Sequence, residues 1–244
     1  MADLKELLVI SNLNETEIPD RFKKIAKDLM CNYIIKKGEK EYAIIEIEFY
    51  LYSPSHRDYI TYPREIEAGR WFFHQSGVDL SFKSFNVKDI KEVENEKQRF
   101  SEATFGGILI RGIYNLDNSI KEDERYIFGP QNCVNELWDN FDAFNPIHNG
   151  YPILTALKES LINNLLQCKR HIKIDEKEKI IKVQSWIKRI GMKMEGDKTL
   201  NALFTFTKSR NYRFFNIPNN DNPCEFTKIP SNARPKENEI IKIG

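Results

Sequence analysis

The stretch "YAIIEIEFYLYSPSHRDY", residues 42–59, decides the reading of this chain. From Ala43 to Tyr50 residues alternate with a period of two, which predicts a β-strand rather than a helix. The strict alternation puts Ala43, Ile45, Ile47 and Phe49 on one face and Ile44, Glu46, Glu48 and Tyr50 on the other. Both carboxylates then point the same way, and the strand runs into a polar loop that holds His56, one of four histidines. Two readings compete. A strand with glutamates on one side is ordinarily the wet face of an antiparallel sheet. A carboxylate among apolar and aromatic neighbours is instead suited to abstracting a proton.

Outward from this strand, "RWFFHQSGVDLSF" (70–82) and "FGGILIRGIYNL" (105–116) are the next strand candidates, the second opening on two glycines that permit a bulge or a close backbone approach. Arg111 is the single charge within that second apolar run, and a guanidinium there needs a carboxylate or phosphate partner. An internal ion pair with one of the glutamates and a contact to a phosphate or base are equally open. "RYIFGP" (125–130) reads as a short strand ending at a helix start, with Pro130 in the first turn and Cys133, Leu137, Trp138 and Phe141 at helical spacing.

Toward the amino end, "PDRFKKIAKDLM" places Phe22, Ile25, Ala26 and Leu29 on one helical stripe behind Asp20 as cap. Leu154, Leu157, Leu161 and Leu165 predict a further core helix across "PILTALKESLINNLLQCK". "EKIIKVQSWIKRIGM" (178–192) is ambiguous between helix and strand, "NALFTFT" and "NYRFFNI" read as strands, and the Asn/Pro-rich 216–235 reads as a loop. Helices and strands mix without a βαβ rhythm, which predicts an α+β fold on a curved, mostly antiparallel sheet. With 244 residues, 41% of them apolar, and no repeat or linker, the chain is expected to be one domain, 1–244, with 218–244 as an extended C-terminal segment.

Composition narrows the function further. There is no apolar run of about eighteen residues and no basic-then-apolar leader, so neither a membrane span nor a secretory signal is expected, and the cytoplasm or nucleoid is the default compartment. Cys31, Cys133, Cys168 and Cys224 are widely spaced, which argues against a zinc site or a disulfide framework. The net charge of +1 offers little grip on a polyanion unless a local patch supplies it. Glycine-rich nucleotide loops, HExxH and GxSxG are absent, and "SPSHRD" does not make a triad by adjacency. The aromatics Tyr50, Tyr52, Tyr59, Tyr62, Trp71, Phe72 and Phe73 are the kind a pocket for a planar ring requires.

In order along the chain, "IEIEFY", "YPR" (62–64), "AGRWFFHQSG" (68–77), "ILIRGI" (108–113), "GPQNCVNEL" (129–137), "RIG" (189–191) and "YRFF" (212–215) form a colinear set of short matches. The set resembles the alkyladenine (3-methyladenine) DNA glycosylase family, whose corresponding segments read V-E-T-E-A-Y, T-P-R, P-G-x-x-Y-V-Y, V-L-L-R-A-L, G-P-x-x-L, R-V-G or R-I-G, and L-R-F-Y. The resemblance spans about 42–217. It implies a single curved antiparallel sheet and a monomeric, cofactor-free and metal-free enzyme that hydrolyses the N-glycosidic bond of a damaged base in DNA. By position it makes Glu48 the general base. Tyr50, His56 and Phe73 become the residues gripping the flipped base, and Arg111 and Glu46 supporting or phosphate-binding groups. The chain departs from the family pattern where the duplex wedge falls on Ser76 and where "GVDLSFK" replaces G-M-Y-F-C-M-N. A pocket that binds a modified nucleotide without cleaving it, and a hydrolase of small nucleosides or single strands, are the alternatives.

Overall fold

In a computed structural model, the structure describes residues 3–58, 61–88, 100, 102–139, 150–161, 165–168, 212–216 and 240–242. These residues form a single α+β domain around one curled antiparallel sheet. Helix α1 (Leu4–Leu7) is a single turn, and α2 (Ile18–Asn32) is the long helix predicted from the phenylalanine stripe. The start of α2 lies earlier than Asp20. Pro19 fills its first turn, and ahead of it Asn14 Oδ1 accepts the backbone N–H groups of Thr16 and Glu17 while Glu17 Oε2 accepts that of Asn14.

The strands are β1 (Tyr33–Lys37), β2 (Lys40–Tyr52), β3 (Trp71–His74), β4 (Gly77–Ser81), β5 (Phe105–Asn115), β6 (Tyr126–Phe128), β7 (Ile153–Ala156), β8 (Leu165–Cys168), β9 (Arg213–Asn216) and β10 (Ile240–Lys242). The sheet runs β10-β8-β9-β2-β5-β4-β3, and α3 (Pro130–Leu137) follows β6 as the Pro130 signal predicts. Strand β5 lies along β2 from Tyr42 to Tyr52, so the other edge of β2 is shared, first by β1 and then by β9. The far edge of β5 is divided in the same way between β4 and β6.

Both divisions fall at one irregularity that the alternating pattern hides. Ile45 is an extra residue on β2 and Arg111 an extra residue on β5, on either side of the Glu46–Gly112 pair. The bulge reverses the facing of the strand's first half. Tyr42 and Ile44 join Ile47, Phe49 and Leu51 in the main core, whereas Ala43 and Ile45 turn to the other side and pack with Tyr114. The strict alternation expected from the sequence therefore holds only from Glu46 onward. Gly112 makes the bulge possible, because a Cβ there would stand 2.9 Å from Glu46 Cβ and 3.2 Å from Ile45 Cγ1.

The core lies between α2 and this face of the sheet. Phe22 stacks on Phe49 at 4.4 Å between centroids, and Phe82 and Phe214 close around them. Fully burying each such ring stabilises the fold by roughly 1.5–3 kcal/mol. Helix α3 adds Cys133 and Leu137 to the core and is tied to the β1–β2 hairpin by Lys37 Nζ donating to Glu136 O (2.9 Å) and by Tyr42 OH donating to the Glu136 carboxylate.

Two expectations are overturned. The leucine stripe from Leu154 to Leu165 is not a helix: Ile153–Ala156 pairs with β1, and Leu165–Cys168 pairs with β9. Tertiary pairing overrides the helical spacing, because β1 and β9 would otherwise present open backbone edges. "RWFFHQSGVDLSF" is a hairpin, β3 and β4, rather than one strand. Within the C-terminal segment, Ile240–Lys242 forms the edge strand β10. The segments 178–192, "NALFTFT" and 217–239 lie outside the described residues, as does Cys224.

Candidate functional site

Directly opposed residues of an antiparallel ladder project to the same side of the sheet. Arg213 on β9, Glu48 on β2, Leu109 on β5, Asp79 on β4 and Phe72 on β3 form one such row. Tyr50, Gly107 and Ser81 form the next row, one step along. Core residues Phe49, Ile108 and Leu80 alternate with these, so both rows lie on the side of the sheet away from α2. This is not a wet face: Glu46, Glu48, Asp79, Ser81 and Arg213 are all buried.

Around the bulge the charges close on one another. Arg111 Nε donates to Glu46 Oε1 at 2.6 Å and its Nη1 donates to Glu48 Oε2 at 3.2 Å, so one guanidinium spans both carboxylates. Arg213 approaches from the opposite edge of β2, with Nε at 2.9 Å and Nη2 at 2.8 Å from Glu46 Oε1. Tyr50 OH donates to Glu48 Oε2 at 2.9 Å. Burial works against the Arg111 charge, but the Coulomb pull of Glu48 and Glu46 outweighs it and holds the guanidinium above its ordinary value. The formal balance is two carboxylates against two guanidinium groups.

A second cluster sits two strands away. Arg64 Nη2 donates to Asp79 Oδ2 at 2.7 Å, its Nε donates to Tyr62 O at 3.1 Å, and its guanidinium lies 3.8 Å over the Phe72 ring. The Ser76 backbone N–H donates to His74 Nδ1 at 3.2 Å, which leaves the ring proton on Nε2, where it donates to Asp79 Oδ1 at 3.0 Å. His74 also stacks on Tyr62 at 4.8 Å. Burial lowers the Arg64 guanidinium below its ordinary value, with Asp79 acting in opposition. Among the described residues neither Arg64 Nη1 nor Ser81 Oγ has a hydrogen-bond partner. Leaving such a buried group unsatisfied costs roughly 1–3 kcal/mol, more where it is charged.

Four of the six residues singled out in the sequence come together: Glu46, Glu48, Tyr50 and Arg111 share the buried polar face. The other two do not. Phe73 pairs with Val78, a core residue, so it stands on the α2 side of the sheet edge, 51% exposed and edge-on to Trp138 at 4.9 Å. His56 is buried on that same side, its ring 6.2 Å from Phe22 and 6.0 Å from Tyr212. A clamp of Tyr50, Phe73 and His56 on one ring is therefore not formed, because the sheet separates Tyr50 from the other two. A cleft of about 690 Å³ at the end of β2, bordered by Asn12, Ser55, Asn86 and Glu102, takes in none of the six.

Arg213, Arg64, Asp79 and His74 are members of the polar face that the sequence reading passed over. Asp79 and Arg213 carried the same signal as Arg111, a lone charge inside an apolar strand. Among the described residues no cluster of three or more His, Cys, Asp or Glu could hold a metal ion, and no helix is long and apolar enough to cross a membrane.

Comparison with known proteins adds little to this geometry. No family model matches the chain, and no solved structure matches it. It is similar to a protein described as uncharacterized protein L759 of Acanthamoeba polyphaga mimivirus, 27% identical over 146 residues that cover 54% of this chain and 61% of that protein. The chain thus spans about three fifths of that relative's length.

Proposed function

We propose that the protein hydrolyses the N-glycosidic bond of a modified nucleotide in DNA, as a divergent member of the alkyladenine glycosylase type, with Glu48 as general base. The observation that carries this reading is the convergence of Tyr50 OH and Arg111 Nη1 on Glu48 Oε2, on a strand of a curled antiparallel sheet. Both donors orient the carboxylate before any substrate arrives, and a general base must be held in position to take its proton. Glu48 takes a proton from water as the water oxygen bonds to C1′. The C1′–N bond breaks and its electron pair leaves with the base. Glu46 and Arg213 hold Arg111 in place, and the flat groups available on this face are Tyr50, Tyr62 and Phe72 in place of His56 and Phe73. No metal or organic cofactor enters these steps, and the cytoplasm or nucleoid is the compartment that suits them.

One observation favours a second reading, a nucleotide-binding pocket without cleavage: Glu48 is 0% exposed and the charges around it balance. The two separate in a base-release assay on alkylated and deaminated duplexes, the same sequences as single strands, and free nucleosides. Release of free base supports hydrolysis. Tight binding with no release over long incubation supports the pocket alone. Repeating the binding at several salt concentrations identifies the substrate form, since each neutralised duplex phosphate steepens the salt slope by roughly 0.9.

A further inference from the structure

We propose that Arg64 Nη1 and Ser81 Oγ form a subsite that reads a hydrogen-bond-accepting oxygen on an uncharged planar ring, an extension that rests on the hydrolytic reading above. Both groups are buried and without a partner among the described residues, and they flank one point of the ladder. Ser81 is directly opposite Gly107, and Arg64 Nη1 lies 3.3 Å from where a Cβ on Gly107 would stand. Tyr50 faces Gly107 from the other side, and Glu48 is one step along the same ladder. The unsatisfied donors are therefore neighbours of the proposed base, on its own side of the sheet.

Arg64 is built as a fixed donor rather than a mobile charge. Its Nε is taken by Tyr62 O, its Nη2 bonds Asp79, its plane lies on Phe72, and Nη1 is the nitrogen left without a partner among the described residues. Asp79 is fixed in turn by His74. The charge balance selects the ligand. Asp79 cancels Arg64, and the His74 proton is committed to Asp79, so an incoming phosphate would meet no net positive charge and a carboxylate close by. An uncharged carbonyl oxygen pays no such repulsion and satisfies both donors. Tyr50, Tyr62 and Phe72, all half-buried, offer flat surfaces for the ring that carries it.

The test titrates uracil, xanthine, adenine and inorganic phosphate separately into wild type, Ser81→Ala and Arg64→Lys, following amide and guanidinium shifts by NMR. Uracil and xanthine carry ring carbonyls and should bind, whereas adenine, with an amino group instead, should bind more weakly and phosphate should not compete. Ser81→Ala should weaken the carbonyl ligands roughly two- to tenfold, and Arg64→Lys about ten- to hundredfold. If Arg64→Lys fails to fold, Ser81→Ala still decides the matter, because it removes one oxygen that supports no other group. Phosphate binding that is lost in Arg64→Lys would overturn the proposal in favour of an anion site. Carbonyl ligands that bind equally to all three proteins, or to none, would also overturn it. Base release that persists without free-base binding rejects the subsite and keeps Glu48; binding without release does the reverse.

Discussion

Two groups of charged side chains share one buried face of the sheet and differ in how their ions are linked. At the bulge, Glu46 receives two arginines and Glu48 receives Arg111 and Tyr50, so donors converge on the carboxylates from both edges of β2. On β4, Asp79 is equally well held, but Arg64 and Ser81 each keep a polar atom unspent. The interlocked network at the bulge resists change, because removing one member strands the others in a low-dielectric interior. An open one tolerates the loss of its unsatisfied atom. The pair of clusters is therefore a rigid frame beside a buried group with donors to spare.

The largest expected effect comes from breaking the frame. Glu46→Gln leaves two guanidinium groups facing one carboxylate and should cost about 3–5 kcal/mol of stability, read from urea unfolding midpoints. Gly112→Ala attacks the same frame sterically. Its methyl would meet Glu46 Cβ at 2.9 Å and Phe128 Cδ1 at 3.1 Å, and a loss of about 1–3 kcal/mol should follow, with thermal unfolding as the check.

A smaller effect should appear in alkali. Burial first, and then the Glu136 carboxylate, raise the Tyr42 hydroxyl above its ordinary 10.0. A raised value means that the folded state keeps a proton the unfolded chain has lost, so this contribution is intact below the unfolded pKa and disappears as pH rises toward the folded one. Unfolding curves between about pH 8 and about pH 11 should fall more gently for Tyr42→Phe than for wild type. An unchanged slope would show that Tyr42 is not the group responsible. The smallest effect is expected at the open cluster, where Ser81→Ala should stay within roughly 0.5 kcal/mol of wild type or gain slightly, since it deletes a hydroxyl with nothing to bond. A loss as large as that of Glu46→Gln would end the contrast between the two clusters.

Much of the frame was legible in the chain itself. Alternation around Glu46 and Glu48 predicts a strand with both carboxylates on one side, and a guanidinium alone in "GGILIRGIY" calls for a carboxylate partner, which the structure supplies twice. The bulge was not legible, because an extra residue on each strand leaves the composition of the pattern intact while reversing the facing of Ala43 and Ile45. Side assignments across strands were the other failure. Whether Phe73 shares a face with Tyr50 depends on the parity of the β3–β4 register, and His56 depends on how a loop folds back toward Phe22; neither is encoded in local spacing. The leucine stripe failed for a related reason, since β1 and β9 needed partners and helical spacing carries no information about that need. The open cluster was hidden because its members come from separated positions, with Arg64 in a loop and Asp79 and His74 on two arms of a hairpin.

The role proposed for Glu48 is that of a base and not only of a member of the frame. Its most direct test is single-turnover release of free base from a substrate that wild type cleaves, measured for wild type and Glu48→Gln at saturating enzyme. A drop of about 10²- to 10⁴-fold in the rate, with substrate binding retained, is expected. Equal rates in the two proteins would contradict it.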